Sequence, residues 1–206
     1  MKKFLTSLVF AGLVPFAPAT AQDAQAPDAL VKDVTQDVIV IVKQDKDIQS
    51  GNTKKTIALV EQKVLPHFNF PRMTALAMGV NWRKATPDQQ QMLIDQFRTL
   101  LVRTYSTALT NYRNQTIDFK PLRAQPADAD VTVRSEVRQS GAEAVTIDYS
   151  MEKTPSGWKV YDVVVGGVSL VTTYRETFAN EVRNAGVDGL IKTLSDKNRQ
   201  LETKSG

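Results

Sequence analysis

The sequence contains no cysteine and a single histidine among its 206 residues. Without cysteine the chain cannot form disulfides, thiolate nucleophiles, iron–sulfur clusters or zinc sites with cysteine ligands. One histidine excludes metal sites built from several histidines and leaves His67 as the only candidate for histidine base catalysis. No G-x-G-x-x-G and no Walker A sequence occurs, so nucleotide binding has no support. We therefore expect neither a cofactor nor a metal ion.

Charge of either sign is not concentrated anywhere in the chain, which has 26 basic and 22 acidic residues. A run of lysine and arginine that could follow a phosphate backbone is missing, and nucleic-acid binding is not expected. Hydrophobic residues make up 42% of the chain and charged residues 23%. This composition supplies a folded core and argues against intrinsic disorder.

The start of the chain contains the basic, apolar and cleavage-site regions of a secretory signal peptide in their usual order. Lys2 and Lys3 form a basic start, 4–14 is an apolar run, and an A-x-A sequence follows two prolines. The apolar run is too short to cross a bilayer as a stable helix. We expect 1–21 to be a signal peptide and 22–206 to be a single domain in a bacterial periplasm, with no cysteine available for a lipid anchor.

Apolar residues recur every three or four positions in the first half of the mature chain and again at its end, which predicts helices. The clearest helix begins with Thr86 as its cap, Pro87 at the first helical position and Gln89 completing a capping box. The predicted helices cover 28–49, 53–65, 73–79, 86–111, 170–184 and 187–201.

After Asn114 the period of the apolar residues changes to two, which predicts strands. Four short strands, at about 117–119, 131–138, 145–151 and 158–165, are joined mostly by short turns and predict an antiparallel meander. Helices before and after an antiparallel sheet indicate the α+β class. Gly166-Gly167 ends the last strand, either as a tight turn or to keep a neighbouring pocket open.

Catalytic patterns are weak. Residues 167–171 begin like a nucleophile elbow around Ser169, but Val171 stands where the elbow needs glycine. Ser169 is better interpreted as the cap of the following helix. Neither His67, which lacks a nearby acidic partner in the sequence, nor the loop residues Asp128 and Asp130 form an acid–base pair. We expect a protein that is not an enzyme, with an esterase using Ser169 as an alternative.

Apolar surface exceeds what a small sheet-and-helix core needs. The long helix, one face of 145–151 and both faces of 158–165 are largely apolar. Tyrosines at 105, 149, 161 and 174 combine an apolar ring with a polar tip, which suits the mouth of a cavity. Periodicity does not distinguish a cavity from a filled core, so an interaction module with a filled interior is a further alternative.

Several segments resemble the MlaC family of periplasmic phospholipid-binding proteins of the Mla, or toluene-tolerance, pathway. The most specific is the strand-to-helix block formed by 158–163 (W-K-V-Y-D-V), 167–171 (G-V-S-L-V) and 174–178 (Y-R-E-T-F). The weaker matches are Trp82-Arg83, Phe97-Arg98 with Leu100-Leu101, Tyr105 with Leu109 and Tyr112, and 186–191 (G-V-D-G-L-I). The matches follow the family order across nearly the whole mature chain.

The resemblance implies a curved antiparallel sheet wrapped by helices, NTF2-like in appearance, with a deep apolar cavity. It implies a carrier that shuttles glycerophospholipid between the outer and inner membranes and so maintains outer-membrane lipid asymmetry. Bound phospholipid would be its ligand. Its partners would be an outer-membrane lipoprotein–porin complex and the MCE-domain subunit of an inner-membrane ABC transporter, and the carrier itself would be a monomer.

Periodicity and the matched segments together predict a lipid-binding wall made by the long helix, two strands and the start of the helix after the sheet. The predicted residues are Phe97, Leu101, Tyr105, Val145, Ile147, Tyr149, Val163, Val168, Leu170, Val171, Tyr174 and Phe178. Phe97, Leu101 and Tyr105 are expected to face Val145, Ile147 and Tyr149 across the pocket.

Overall fold

The computed structural model describes residues 25–125 and 127–205. The predicted signal peptide lies outside these residues. Helices come first, with 3₁₀ turns at Leu65–His67 and Gly79–Lys84. They are α1 (Pro27–Gln44), α2 (Lys46–Gln49), α3 (Thr53–Lys63), α4 (Phe70–Met78), α5 (Pro87–Tyr105) and α6 (Thr107–Thr110). The sheet follows, and α7 (Leu170–Ser205) ends the described chain. No helix in the described ranges is both long and apolar enough to cross a membrane.

Helix ends follow from local chemistry. The capping box predicted at Thr86 is present: its side chain accepts from the Gln89 N–H, and the Gln89 side chain accepts from the Thr86 N–H. α5 ends at Tyr105 rather than near residue 111. The Ser106 hydroxyl donates to the Val102 carbonyl oxygen there, a bond that bends helices. α4 begins earlier than predicted because Asn69 caps it through the Arg72 N–H.

The last helix is interrupted where glycine makes it possible. Gly186 has φ 71° and ψ −176°, which is not helical, so α7 consists of two helical halves. This agrees with the predicted helices at 170–184 and 187–201. The second half packs on α5 through Leu190 and Leu194, and the Asn198 side chain donates to the Gln96 carbonyl oxygen.

The sheet is an open antiparallel meander in which neighbours in sequence are neighbours in space. It has five strands instead of the predicted four. They are β1 (Thr116–Phe119), β2 (Asp130–Arg138), β3 (Val145–Thr154), β4 (Gly157–Val165) and β5 (Val168–Ser169). β5 was missed because two residues are too few to display an alternating pattern. It pairs with the end of β4, Val165 opposite Val168.

Gly166 and Gly167 form the two-residue turn between β4 and β5. Their φ angles are 56° and 84°, the left-handed conformation that this hairpin turn requires. A Cβ built on either glycine meets no atom within 4 Å, so the backbone conformation and not close packing calls for glycine. The tight-turn interpretation therefore accounts for both residues.

Replacing Gly167 with valine should lower the free energy of unfolding by about 1–2 kcal/mol, because a β-branched residue resists positive φ. Gly167→Asn is the matched control, since asparagine tolerates this conformation and should cost much less. Urea denaturation of both variants measures the difference. Equal destabilisation by the two substitutions would contradict the assigned backbone conformation.

The hydrophobic interior of the described residues is divided into three clusters. The largest joins α4, α5 and α7 and includes Phe97, Phe178 and Leu190. The second lies on one face of the sheet, where Val31 of α1 covers Met151 and Val160. The third joins α1, α2 and α3. The sheet contacts the helices mainly at β4, through α4 and α7, and at β2, through α1.

Candidate functional site

The two faces of the sheet differ completely in character. One face carries charged side chains that pair with one another, such as Lys120 with Glu136 at 2.8 Å and Arg134 with Asp148 at 3.7 Å. Residues paired across antiparallel strands lie on the same face. The opposite face is apolar between Val137 and Val131 and consists of cross-strand rows, and the row beyond them pairs Lys153 with Trp158. These rows are Val131–Met151–Val160, Val133–Tyr149–Val163, Ser135–Ile147–Val165–Val168 and Val137–Val145.

Exposure rises steadily along this apolar face. Met151 is fully buried under α1. Tyr149 and Ile147 are half-buried, and Val145 at the start of β3 is 42% exposed. In the neighbouring strands, Val165 is 38% and Val168 60% exposed. The face is thus closed at the Met151 end and open at the corner formed by Val145, Val165 and Val168. Exposed apolar side chains grouped in this way mark an interaction or ligand site.

Tyr149 lies between the closed and the open end. Burial raises the pKa of its hydroxyl, with a smaller opposing effect from the nearby Ser135 hydroxyl. Part of the side chain nevertheless remains accessible. This combination distinguishes Tyr149 from the filled core at Met151.

The helical side contributes an aromatic cluster. Phe97 of α5 contacts Tyr174 and Phe178 of α7 edge-on, with ring centroids 5.0 and 5.1 Å apart. Burial, reinforced by the neighbouring Tyr105 hydroxyl, raises the pKa of Tyr174 to about 12. Tyr174 therefore stays neutral at ordinary pH, and Tyr105 is the more exposed of the two side chains.

The structure brings the twelve predicted residues into separate groups and not into one continuous wall. Phe97, Leu101, Val171, Tyr174 and Phe178 pack in the cluster of α4, α5 and α7, with Tyr105 beside Tyr174. The sheet positions are distributed differently. Tyr149 and Val163 adjoin the buried sheet cluster, and Ile147 is half-buried beyond them. Val145 and Val168 belong to the open corner. Leu170 is half-buried and is the first residue of α7.

Two clefts lie among the helices, and the second is bordered by Phe68, which also packs on the sheet cluster. A cleft of about 510 Å³ is lined by α3, α5 and the end of α7, including Lys54, Arg98 and Arg103. A second, of about 370 Å³, is lined by residues around Phe68 and Phe70. They share Glu61 and Arg98, and none of the twelve predicted residues lines either cleft.

Ser169 has a structural role. Its hydroxyl donates to Asp162 Oδ2 at 2.6 Å and accepts from the Thr172 N–H at 3.0 Å, which caps α7. Asp162 Oδ1 accepts from the backbone N–H groups of Val163 and Val171. The Asp162 carboxylate thus joins β4 to the start of α7. The cap predicted for Ser169 is confirmed, and its hydroxyl proton points to a carboxylate rather than to a histidine.

Among the residues that the structure describes, no group of three or more acidic or histidine side chains could hold a metal ion. His67 lies in the 3₁₀ turn after α3. Partial burial and the nearby Lys159 ammonium lower the pKa of its imidazole. The apolar face of the sheet therefore offers a surface for binding, and the hydrogen bonds of Ser169 do not form a catalytic group.

Comparison with known proteins agrees with this picture. The family model described as MlaC protein matches residues 32–196. The chain belongs to the MlaC family. The resemblance seen in the sequence is confirmed, and so is the α+β fold with an open antiparallel sheet and surrounding helices.

Curated relatives of this MlaC-family chain carry names that refer to lipid transport or solvent tolerance. The toluene tolerance protein ttg2D of Pseudomonas putida is 27% identical over 178 residues, covering 86% of this chain and 82% of the relative. The intermembrane phospholipid transport system binding protein MlaC of Haemophilus influenzae is 25% identical over 205 residues, covering 97% and 95%.

A solved structure is more similar in sequence. The phospholipid-binding protein from Ralstonia solanacearum, in complex with a phospholipid, is 46% identical and superposes with a TM-score of 0.79. The match covers 85% of this chain and 98% of the Ralstonia chain. Both the sheet and the helical layer of the MlaC fold are therefore common to the two proteins.

Sequence reasoning missed several residues of the apolar face in this MlaC-family chain. Val133, Ser135 and Val137 of β2 and Val165 of β4 lie in the same rows as the predicted β3 residues. Alternation in β2 was the available signal, because it already separated these side chains from the charged ones. Which strands pair, and in which register, could not be obtained from alternation alone.

Proposed function

We propose that this chain is a periplasmic carrier that holds the acyl chains of a glycerophospholipid on the apolar face of its sheet. The main support is the phospholipid bound by a Ralstonia protein that is 46% identical over most of both chains. The apolar face offers an opening at one end and a closed end under α1, as two acyl chains require. The signal-peptide pattern at 1–21 supports export to the periplasm.

The free-energy cost of moving lipid through water explains why a carrier is needed. A two-chain lipid exposes on the order of 30 methylenes, each costing ~0.8 kcal/mol in water, or roughly 24 kcal/mol in all. An apolar surface distinguishes acyl chains only by the methylenes that they bury and accepts any chain that fits, so we expect broad tolerance of acyl composition. The methyl ends of the chains would lie near Met151, and the headgroup would lie near Val145 and Val168.

Within this proposal the twelve predicted residues have different tasks. Val145, Ile147, Tyr149, Val163 and Val168 contact the lipid directly, since they lie on the accessible part of the face. Tyr105, Leu170 and Tyr174 form the helical border of the opening. Phe97, Leu101, Val171 and Phe178 support that border from within the core.

Direction of transport would come from the partners of this monomeric carrier. The chain has no nucleotide-binding motif, so it would bind and release lipid passively between an outer-membrane lipoprotein–porin complex and the MCE-domain subunit of an inner-membrane ABC transporter. Movement between these partners would maintain the lipid asymmetry of the outer membrane. An esterase function gains no support, because the Ser169 hydroxyl is engaged as a helix cap.

Native mass spectrometry of the protein purified from a Gram-negative host tests the proposal. We expect a mass increase that organic extraction removes and that the extract identifies as phospholipid. The purified protein should also move labelled phospholipid between two vesicle populations without added nucleotide. Protein that is repeatedly free of phospholipid and inactive in transfer would refute the proposed function.

A further inference from the structure

A short segment borders the open corner of the apolar face, and few backbone bonds hold it. This edge segment, residues 166–170, comprises the glycine turn, β5 and the first residue of α7. β5 pairs with β4 through two residue pairs, the outer of which joins Val165 to Val168. The turn adds one bond, from the Gly166 N–H to the Thr146 carbonyl oxygen of β3 at 2.9 Å. Strand pairing alone therefore restrains the edge segment weakly.

Side-chain packing adds little to this restraint. Val168 is 60% exposed, and Leu170 is only half-buried. The next residue, Val171, is buried in the cluster of α4, α5 and α7. Segments with few buried apolar contacts open at a low cost in free energy. The boundary between the weakly held edge segment and the fixed body of α7 therefore falls at Val171.

One carboxylate, that of Asp162 in β4, holds the chain on both sides of this boundary. Its Oδ2 accepts from the Ser169 hydroxyl at 2.6 Å, and its Oδ1 accepts from the Val171 N–H at 3.1 Å. Hydrogen bonds to an ionised acceptor are stronger than those between neutral groups, and a negative charge beside a helix N-terminus is favourable as well. Asp162 is therefore the strongest polar restraint on the edge segment.

The Asp162 side chain lies on the other side of the sheet from the apolar face. Asp162 is in the same cross-strand row as Thr132 and Ser150, and this row belongs to the polar face. Its three hydrogen bonds all come from groups within 163–171. Asp162 therefore does not contact acyl chains on the apolar face, and any effect that it has on lipid must pass through the edge segment.

We propose that Asp162 is a positioning residue that sets the rate of lipid exchange, because it determines how often the edge segment leaves β4 and widens the opening. Acyl chains that enter or leave the apolar face pass Val168 and Leu170. The restraint lies outside the binding surface, so weakening it should speed uptake and release by the same factor and leave the equilibrium amount of bound lipid unchanged. This inference rests on the proposed function and adds the residue that controls its kinetics.

Asp162→Asn tests this assignment in the purified protein. The amide keeps the shape of the side chain and still accepts from the Val171 N–H, but it loses the charge and the second acceptor oxygen. Release of a phosphatidylethanolamine with a fluorescent acyl chain, from loaded protein to excess phosphatidylcholine vesicles, is followed by stopped flow. It should be faster by roughly 10-fold, the factor expected for one hydrogen bond to a charged group. Uptake should accelerate equally, and lipid content at equilibrium should match that of the unmodified protein.

Asp148→Asn is the matched control, because Asp148 lies on the same polar face and pairs with Arg134 rather than with the edge segment. It should change neither rate. Ser169→Ala breaks the same contact from its other partner and should also accelerate release. Combined with Asp162→Asn, it should give less than the product of the two single factors, because both substitutions remove one shared contact.

Unchanged release in Asp162→Asn and Ser169→Ala, or equal acceleration in Asp148→Asn, would overturn this inference and leave the carrier function intact. A lower equilibrium lipid content per folded molecule in Asp162→Asn would also overturn it, since Asp162 would then support the binding surface itself. Unmodified protein that neither takes up nor releases phospholipid would overturn the proposed function.

Discussion

Ile147→Trp should strongly reduce the amount of bound phospholipid while leaving the fold stable. Ile147 is half-buried between Ser135 and Val165 on the accessible part of the apolar face. An indole there has room in the empty protein but occupies the space of an acyl chain in the complex. Overpacking costs about 1–3 kcal/mol, which corresponds to roughly a 5- to 150-fold loss of affinity when it falls on the complex alone.

Thr146→Trp is the control for this substitution, since Thr146 is exposed on the opposite face of the same strand. Lipid content per folded molecule is measured by extraction, and stability is measured by thermal unfolding. Ile147→Trp should lower only the lipid content, and Thr146→Trp should change neither strongly. A lowered melting temperature with normal lipid content would mean that Ile147 belongs to a filled core.

Phe97→Ala should have the largest effect on stability, a loss of about 3–5 kcal/mol. Phe97 has no accessible surface and contacts both Tyr174 and Phe178 through its ring. Removing the ring leaves a cavity between α5 and α7 and withdraws the contacts that hold Tyr174. Chemical denaturation measures the loss.

Phe97→Leu is the corresponding conservative variant and should cost less than ~1.5 kcal/mol because it keeps most of the side-chain volume. Both variants should retain normal lipid content per folded molecule if Phe97 supports the opening from within the core. Loss of lipid without loss of stability would place Phe97 in direct contact with the ligand.

Elements with strong local signals were predictable from the sequence. The capping box at Thr86 and the alternation in β2 and β3 depend only on residues close in sequence, so the structure contains them as predicted. The end of α5 was not predictable, because the Ser106 hydroxyl can donate to a helix carbonyl oxygen or to water. β5 consists of two residues that acquire strand geometry only by pairing with β4.

The candidate site was predictable only in part, for a different reason. Periodicity identifies which side of a helix or strand is apolar, but it does not say which other element that side meets. The apolar sides of α5 and β3 were expected to face each other, whereas Phe97 packs on α7 and Tyr149 of β3 adjoins the sheet cluster that α1 covers. The gradient of exposure towards Val168 depends on which part of the sheet α1 covers, a tertiary property.

Crosslinking with a photoreactive lipid tests the central claim most directly. A phosphatidylcholine with a diazirine near the end of one acyl chain is loaded, irradiated and located by peptide mass spectrometry. The account predicts crosslinks at the closed end of the apolar face, around Met151 and Val160. Crosslinks confined to the cleft of α3, α5 and the end of α7, around Ile57 and Val102, would contradict it.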